Sequence, residues 1–220
     1  MATLQTLHDH NRAIRYYDIP APTAGAPVVL LMPEWWGVNE QIKKQGTRLA
    51  ASGFNVVILD LYDGKLARSA DEASTMMQHL NWEQATHDVG ALTKSFTATG
   101  AKVGITGFCL GGAVTLMAAA QVPALSAAVC FYGMPSPEKA DLSQIRIPVQ
   151  GHFASEDGWI TPALVDKLDA TLTAAGTPHE FHRYVAQHAF MNEARPEVYQ
   201  PEIARVATER MVAFFTEHLG

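Results

Sequence analysis

Val103-Gly104-Ile105-Thr106-Gly107-Phe108-Cys109-Leu110-Gly111-Gly112-Ala113 is the stretch that decides the fold. The segment leading in, Ala101–Thr106, is short and β-prone, and Ala113–Ala120 beyond it is an Ala-rich helix former. The chain therefore passes from strand to helix through a tight turn with a cysteine at its apex. Glycines two before and two after that apex accept the turn because they have no Cβ to clash. The apex side chain is pushed out over the carboxyl edge of a sheet. The next helix starts beside it, so unpaired N–H groups and the positive end of the helix dipole face the sulfur. This pattern is a nucleophile elbow with Cys in the place of Ser, and it makes Cys109 the candidate nucleophile. Cys130 lies inside the continuous apolar run Ala127–Tyr132 and reads as a buried strand residue.

Outward from the elbow, apolar runs alternate with helical patterns. Ile14–Ile19 alternates polar and apolar residues and reads as an early strand. Val28–Met32, Phe54–Leu59, Ala127–Tyr132 and Ile147–His152 read as buried strands, and His179–Val185 as the last one. Helical spacing covers Asn39–Ser52, Ala70–Thr99 with a break near Asn81-Trp82, Ala113–Gln121, Pro162–Ala175 closed by Gly176, and Pro201–Leu219. Buried strands alternating with helices imply a mostly parallel sheet covered on both faces, so the fold class is a single α/β domain over 1–220.

Composition narrows the partners. Of 220 residues 48% are hydrophobic and 17% charged, which describes a globular chain with a sizeable core. The formal net charge is −6 without a basic cluster, so neither nucleic acid nor an anionic membrane is expected as a partner. Met1–His10 lacks the basic flank and apolar stretch of a signal peptide. The two cysteines form no paired motif, so no disulfide framework or cysteine-rich metal site is expected. The expected compartment is the cytoplasm, which keeps a thiol reduced.

In doubly wound sheets chemistry lies beyond the carboxyl ends of the strands. A thiolate that attacks a carbonyl needs a base, and the base needs an orienting carboxylate. Asp157 follows the strand Ile147–His152, with Glu156 as its neighbouring competitor, and His188 follows His179–Val185. Their order after Cys109 is nucleophile, acid, histidine. His152 also ends a strand, but it precedes the acid in sequence, so His188 is preferred.

These residues carry a resemblance. Gly107–Gly112, the Asp157 loop and Gln187-His188-Ala189-Phe190 resemble the dienelactone hydrolase (carboxymethylenebutenolidase) family of α/β-hydrolases. So do Met32-Pro33-Glu34-Trp35-Trp36-Gly37 and Asp60-Leu61-Tyr62, and the likeness spans nearly the whole chain. The resemblance implies a Cys109-His188-Asp157 triad that cleaves small lactones or esters through an acyl-thioester, without metal or organic cofactor. It implies that Glu34 contacts the resting thiol and helps form the thiolate, and that the backbone N–H groups of Trp35 and Leu110 make an oxyanion hole. The resemblance departs where the family binds a substrate carboxylate with two arginines. One of those positions is Asn192 here, and the stretch matching the other, Asp71–Leu80, holds no arginine. Arg68 and Arg195 are off register. Trp36, Tyr62, Trp159, Phe190 and Asn192 are therefore the candidate substrate contacts, and the expected cleft is more apolar, with little preference for a carboxylate. A monomer or small homo-oligomer is expected. The rival readings are acyl transfer to an acceptor other than water and a non-catalytic ligand-binding α/β protein.

Overall fold

The computed structural model describes residues 2–220; Met1, the first residue of the stretch read for a signal peptide, lies outside them. Eight strands form one sheet: β1 (Thr3–Asp9), β2 (Arg12–Ile19), β3 (Val28–Met32), β4 (Asn55–Leu59), β5 (Val103–Phe108), β6 (Ala127–Phe131), β7 (Val149–Ala154) and β8 (His179–Tyr184). Their spatial order is β1-β2-β4-β3-β5-β6-β7-β8. β1 and β2 run antiparallel at one edge, and every pairing from β4 onward is parallel.

The apolar runs are strands because both faces of the sheet are covered. Val29 and Leu31 point into one core, which α1 (Glu40–Ala51) and α6 (Pro201–Leu219) close with Ile42, Leu49, Met211 and Phe215. Val28, Leu30 and Met32 point into the other, closed by α3 (Trp82–Thr97), α4 (Leu110–Gln121) and α5 (Pro162–Ala175). Each fully buried Leu, Ile or Phe in these layers contributes roughly 1.5–3 kcal/mol relative to leaving it in water. α2 (Ala70–Gln78) buries only Ala73 and lies at the periphery. The break between α2 and α3 falls at Asn81, whose Oδ1 accepts the Gln84 N–H at 3.0 Å as an N-cap. α3 is tied across to β2 by Arg12, which donates to both Asp88 oxygens at 2.6 and 2.5 Å.

Three sequence expectations shift. β1 went unread because it is an edge strand with mostly exposed residues and no apolar stripe. β7 starts at Val149 and runs on to Ala154, two residues later than expected at both ends, because Pro148 has no N–H for a ladder bond. α4 starts at Leu110, directly after the apex cysteine.

The winding fixes where chemistry can sit. From β3 the chain goes through α1 to β4 on one side, then crosses back through α2 and α3 to β5 on the other side of β3. The sheet therefore opens a crevice at the carboxyl ends of β3 and β5, the usual ligand position in doubly wound sheets.

Candidate active site

The crevice is a cleft of about 450 Å³. Cys109 lines it from the end of β5. Its backbone has φ 54° and ψ −114°, a conformation that L residues adopt only under constraint. The constraint is close packing. Cys109 N–H donates to the Phe131 carbonyl at 3.0 Å, and the Ala113 N–H donates to the Cys109 carbonyl at 3.1 Å, which starts α4. A Cβ at Gly111 would collide with the Met32 carbonyl oxygen, and one at Gly107 with the Gly111 carbonyl, so only glycine lets α4 approach β3 this closely. Burial raises the thiol's pKa far above its ordinary range, and the charge of Glu34 adds to this, with a smaller push from Asp157. The Leu110 N–H bonded to the sulfur and the charge of Arg195 act the other way without reversing it.

Asp157 and His188 come together because two turns are interlocked. Ser155 N–H donates to the Tyr184 carbonyl at 2.8 Å and Glu156 N–H to the Ala186 carbonyl at 3.0 Å, which ties the exit of β7 to the exit of β8. His188 Nδ1 then donates to Asp157 Oδ2 at 2.7 Å. Asp157 Oδ1 accepts the N–H groups of Trp159 and Ile160 at 2.8 and 2.9 Å. Burial alone would raise this carboxyl. The His188 hydrogen bond, the charge of that histidine and the two backbone donors outweigh burial and hold it below its ordinary value. His188 Nε2 is buried and has no partner among the described residues. The imidazole also lines the cleft, with Tyr132 edge-on at 5.1 Å and Trp159 at 5.1 Å.

The competitors lie elsewhere. Glu156 is exposed on the cleft wall and makes no side-chain bond to His188. His152 is fully buried with both ring nitrogens engaged, at 2.9 Å from the Tyr184 hydroxyl and 2.8 Å from Gln150 Oε1, and it stacks on Phe131.

Glu34 follows β3 and is buried at the cleft floor. Tyr132 donates its hydroxyl to Oε1 at 3.3 Å, and Asn192 donates its amide to Oε2 at 2.5 Å. Burial raises this carboxyl's pKa, and the two donors with the charges of His188 and Arg195 offset it only in part.

Of the candidate substrate contacts, Trp36 and Trp159 line the cleft, as does Trp35. Three others do not. Asn192 is buried, its amide nitrogen spent on Glu34 and its oxygen on the Ala194 N–H at 3.0 Å. Phe190 is fully buried between Tyr132 and Tyr184. Tyr62 lines a neighbouring cavity with Arg12, Lys65 and His79. One residue was missed and another was set aside. Tyr132, with φ 37°, touches both Glu34 and His188, and its place after the apolar run Ala127–Phe131 was the signal. Arg195, dismissed as off register, lines the cleft with its Nε bonded to Glu197 at 2.8 Å. Among the described residues no group of three or more His, Cys, Asp or Glu is arranged to hold a metal ion, and no helix is long and apolar enough to cross a membrane.

Comparison with known proteins gives the chain a family. The model of the dienelactone hydrolase family matches residues 15–219. Protein usf of Aquifex pyrophilus is 33% identical over 214 residues, covering 91% of this chain and 92% of that protein. A candidate carboxymethylenebutenolidase of Aquifex aeolicus is 30% identical over 214 residues, with 91% and 92% covered. Among solved structures, a candidate dienelactone hydrolase of Klebsiella pneumoniae superposes with a TM-score of 0.87 at 26% identity, covering 98% of each chain. A dienelactone hydrolase-like promiscuous phosphotriesterase from metagenomic libraries shares the fold at a TM-score of 0.85 and 21% identity, over 100% and 99% of the two chains. A family match over nearly the whole chain, and a sheet that winds as the α/β-hydrolases do, make this chain a hydrolase and a member of the dienelactone hydrolase family.

Proposed function

We propose that the chain hydrolyses small lactones or esters by nucleophilic catalysis, with Cys109 as nucleophile, His188 as general base and acid, and Asp157 as its orienter. The observation that carries this reading is the His188–Asp157 bond at 2.7 Å, which leaves Nε2 as the imidazole's working nitrogen in the cleft that Cys109 lines. Cys109 transfers its proton to Nε2 and its sulfur forms a bond to the substrate carbonyl carbon. The carbonyl oxygen takes the negative charge against the Leu110 N–H at the start of α4, with the Trp35 N–H as the second donor. The intermediate collapses, the carbon–oxygen bond of the leaving group breaks, and His188 returns the proton to the departing oxygen. Water then attacks the thioester, giving its proton to Nε2, and the sulfur leaves and is reprotonated. Asp157 holds the imidazole tautomer and stabilises its charged form throughout.

Turnover of p-nitrophenyl acetate by substituted proteins tests this. Cys109→Ala and His188→Ala abolish it, while Cys130→Ala and His152→Ala keep most of it in whatever protein folds. Asp157→Asn lowers it by roughly two to four orders of magnitude, and Glu156→Gln only mildly. Mass spectrometry of quenched reactions finds the acetyl group on Cys109. Full activity in Cys109→Ala removes the proposal.

A further inference from the structure

We propose that Trp159 reads the alcohol side of the substrate, and that its indole takes an aromatic leaving group. The inference rests on His188 acting as proton donor to that group. With Nδ1 held by Asp157, the proton passes through Nε2, so the departing oxygen leaves from beside that nitrogen. The Trp159 indole lies against the same imidazole, with centroids 5.1 Å apart and planes at 38°. A ring attached to the departing oxygen is therefore within reach of the indole.

Exposure points the same way. Trp159 is 55% exposed, and of the exposed large apolar side chains among the described residues it alone lines the cleft. An indole left in water at a cleft mouth gains by covering itself with an apolar ring. It is also held in place. The Trp159 backbone N–H donates to Asp157 Oδ1 at 2.8 Å, so one carboxylate orients both the imidazole and the turn that carries the indole. Trp35 meets it edge-on at 5.3 Å and 83°, and Trp36 meets Trp35 edge-on at 5.4 Å and 72°. These contacts join Trp159 to two further indoles that line the same cleft, so a planar leaving group meets a surface that is already ordered.

The test keeps the acyl group constant. Phenyl acetate is compared with hexafluoroisopropyl acetate, an alkyl ester whose alcohol is of comparable acidity. Trp159→Ala is expected to lower the phenyl-to-alkyl ratio of kcat/KM about 3- to 10-fold, the range typical of one aromatic contact, and Trp159→Phe to restore most of it. An unchanged ratio, or equal losses on both esters, overturns the proposal and leaves Trp159 as a support for its turn. A second arm needs no catalysis. Phenol binding to the Cys109→Ala protein, followed by saturation-transfer NMR, is expected to weaken when Trp159→Ala is added. Phenol binding that is indifferent to Trp159 also overturns it. Failure of the triad assignment would show instead as ester cleavage surviving in Cys109→Ala.

Discussion

Burial and the charge of Glu34 oppose the ionisation of Cys109 more than the Leu110 N–H and the charge of Arg195 favour it. Burial raises the thiol's pKa, and a charged Glu34 raises it further. Family resemblance gives the equivalent glutamate a part in making the thiolate, whereas in this resting arrangement Glu34 is turned to Tyr132 and Asn192. The two views separate in an alkylation experiment. Only the thiolate reacts with iodoacetamide, so Cys109 should react more slowly than free cysteine at pH 8 and faster as pH rises. Removing the neighbouring negative charge in Glu34→Gln lowers the thiol's pKa, so Glu34→Gln should alkylate faster above the pH at which Glu34 ionises. Slower alkylation would mean that Glu34 acts as the base in the resting state. Cys130 supplies the control, because burial raises it to about 12 and its sulfur is hydrogen-bonded to the Gly112 and Gly133 carbonyls.

Elements place these residues through contacts that sequence records unevenly. The elbow was legible because its glycines, the strand before them and the helix after them are one local pattern. Pro162 and Gly176, which bound α5, were legible for the same reason: the first sits at the first helical position and the second adopts φ 69° at the cap. Asn192 and Phe190 were not legible as buried residues. They lie in the loop after β8, and what they face depends on how that loop folds over Tyr132 and Glu34. Arg195 was set aside as off register because reading by register assumes that the loop keeps a fixed path. The contrast predicts where substitution is tolerated. Gly111→Ala forces α4 away from the Met32 carbonyl and should cost several kcal/mol, on the order of 3 or more. Gly158→Ala meets nothing within 4 Å and should leave the melting temperature within about 2 °C of the parent. Thermal melts of the two proteins compare them directly.

At the scale of the whole molecule, one local charge competes with the global field. The net charge of −6 disfavours an anionic substrate, while Arg195 on the cleft wall attracts one. Arg195 is about one third exposed and already bonded to Glu197, so its contribution belongs to the weak class of partly solvated pairs, about 0.2–1 kcal/mol. The expected kcat/KM ratio for a carboxylate-bearing lactone over its methyl ester is therefore modest, between about one and five at low salt. Arg195→Ala should bring it to one or below. A ratio near a hundred would require a bidentate clamp and would refute this weighting. The sheet edge gives the same lesson at larger scale: Glu34, Cys109, Asp157 and His188 follow β3, β5, β7 and β8, and only the parallel sheet makes them neighbours.

The backbone at Cys109 has a consequence for heat resistance. A non-glycine residue held at φ 54° and ψ −114° stores roughly 1–3 kcal/mol of strain. Glycine relieves that strain, whereas alanine removes the thiol and keeps it. Cys109→Gly should therefore melt higher than Cys109→Ala, by about 2–4 °C for each kcal/mol released in a chain of this size, with neither protein cleaving esters. If it does, this hydrolase keeps a side chain at the apex of its elbow at the expense of its own thermal endurance, and a lineage released from needing one there would be free to become the sturdier protein.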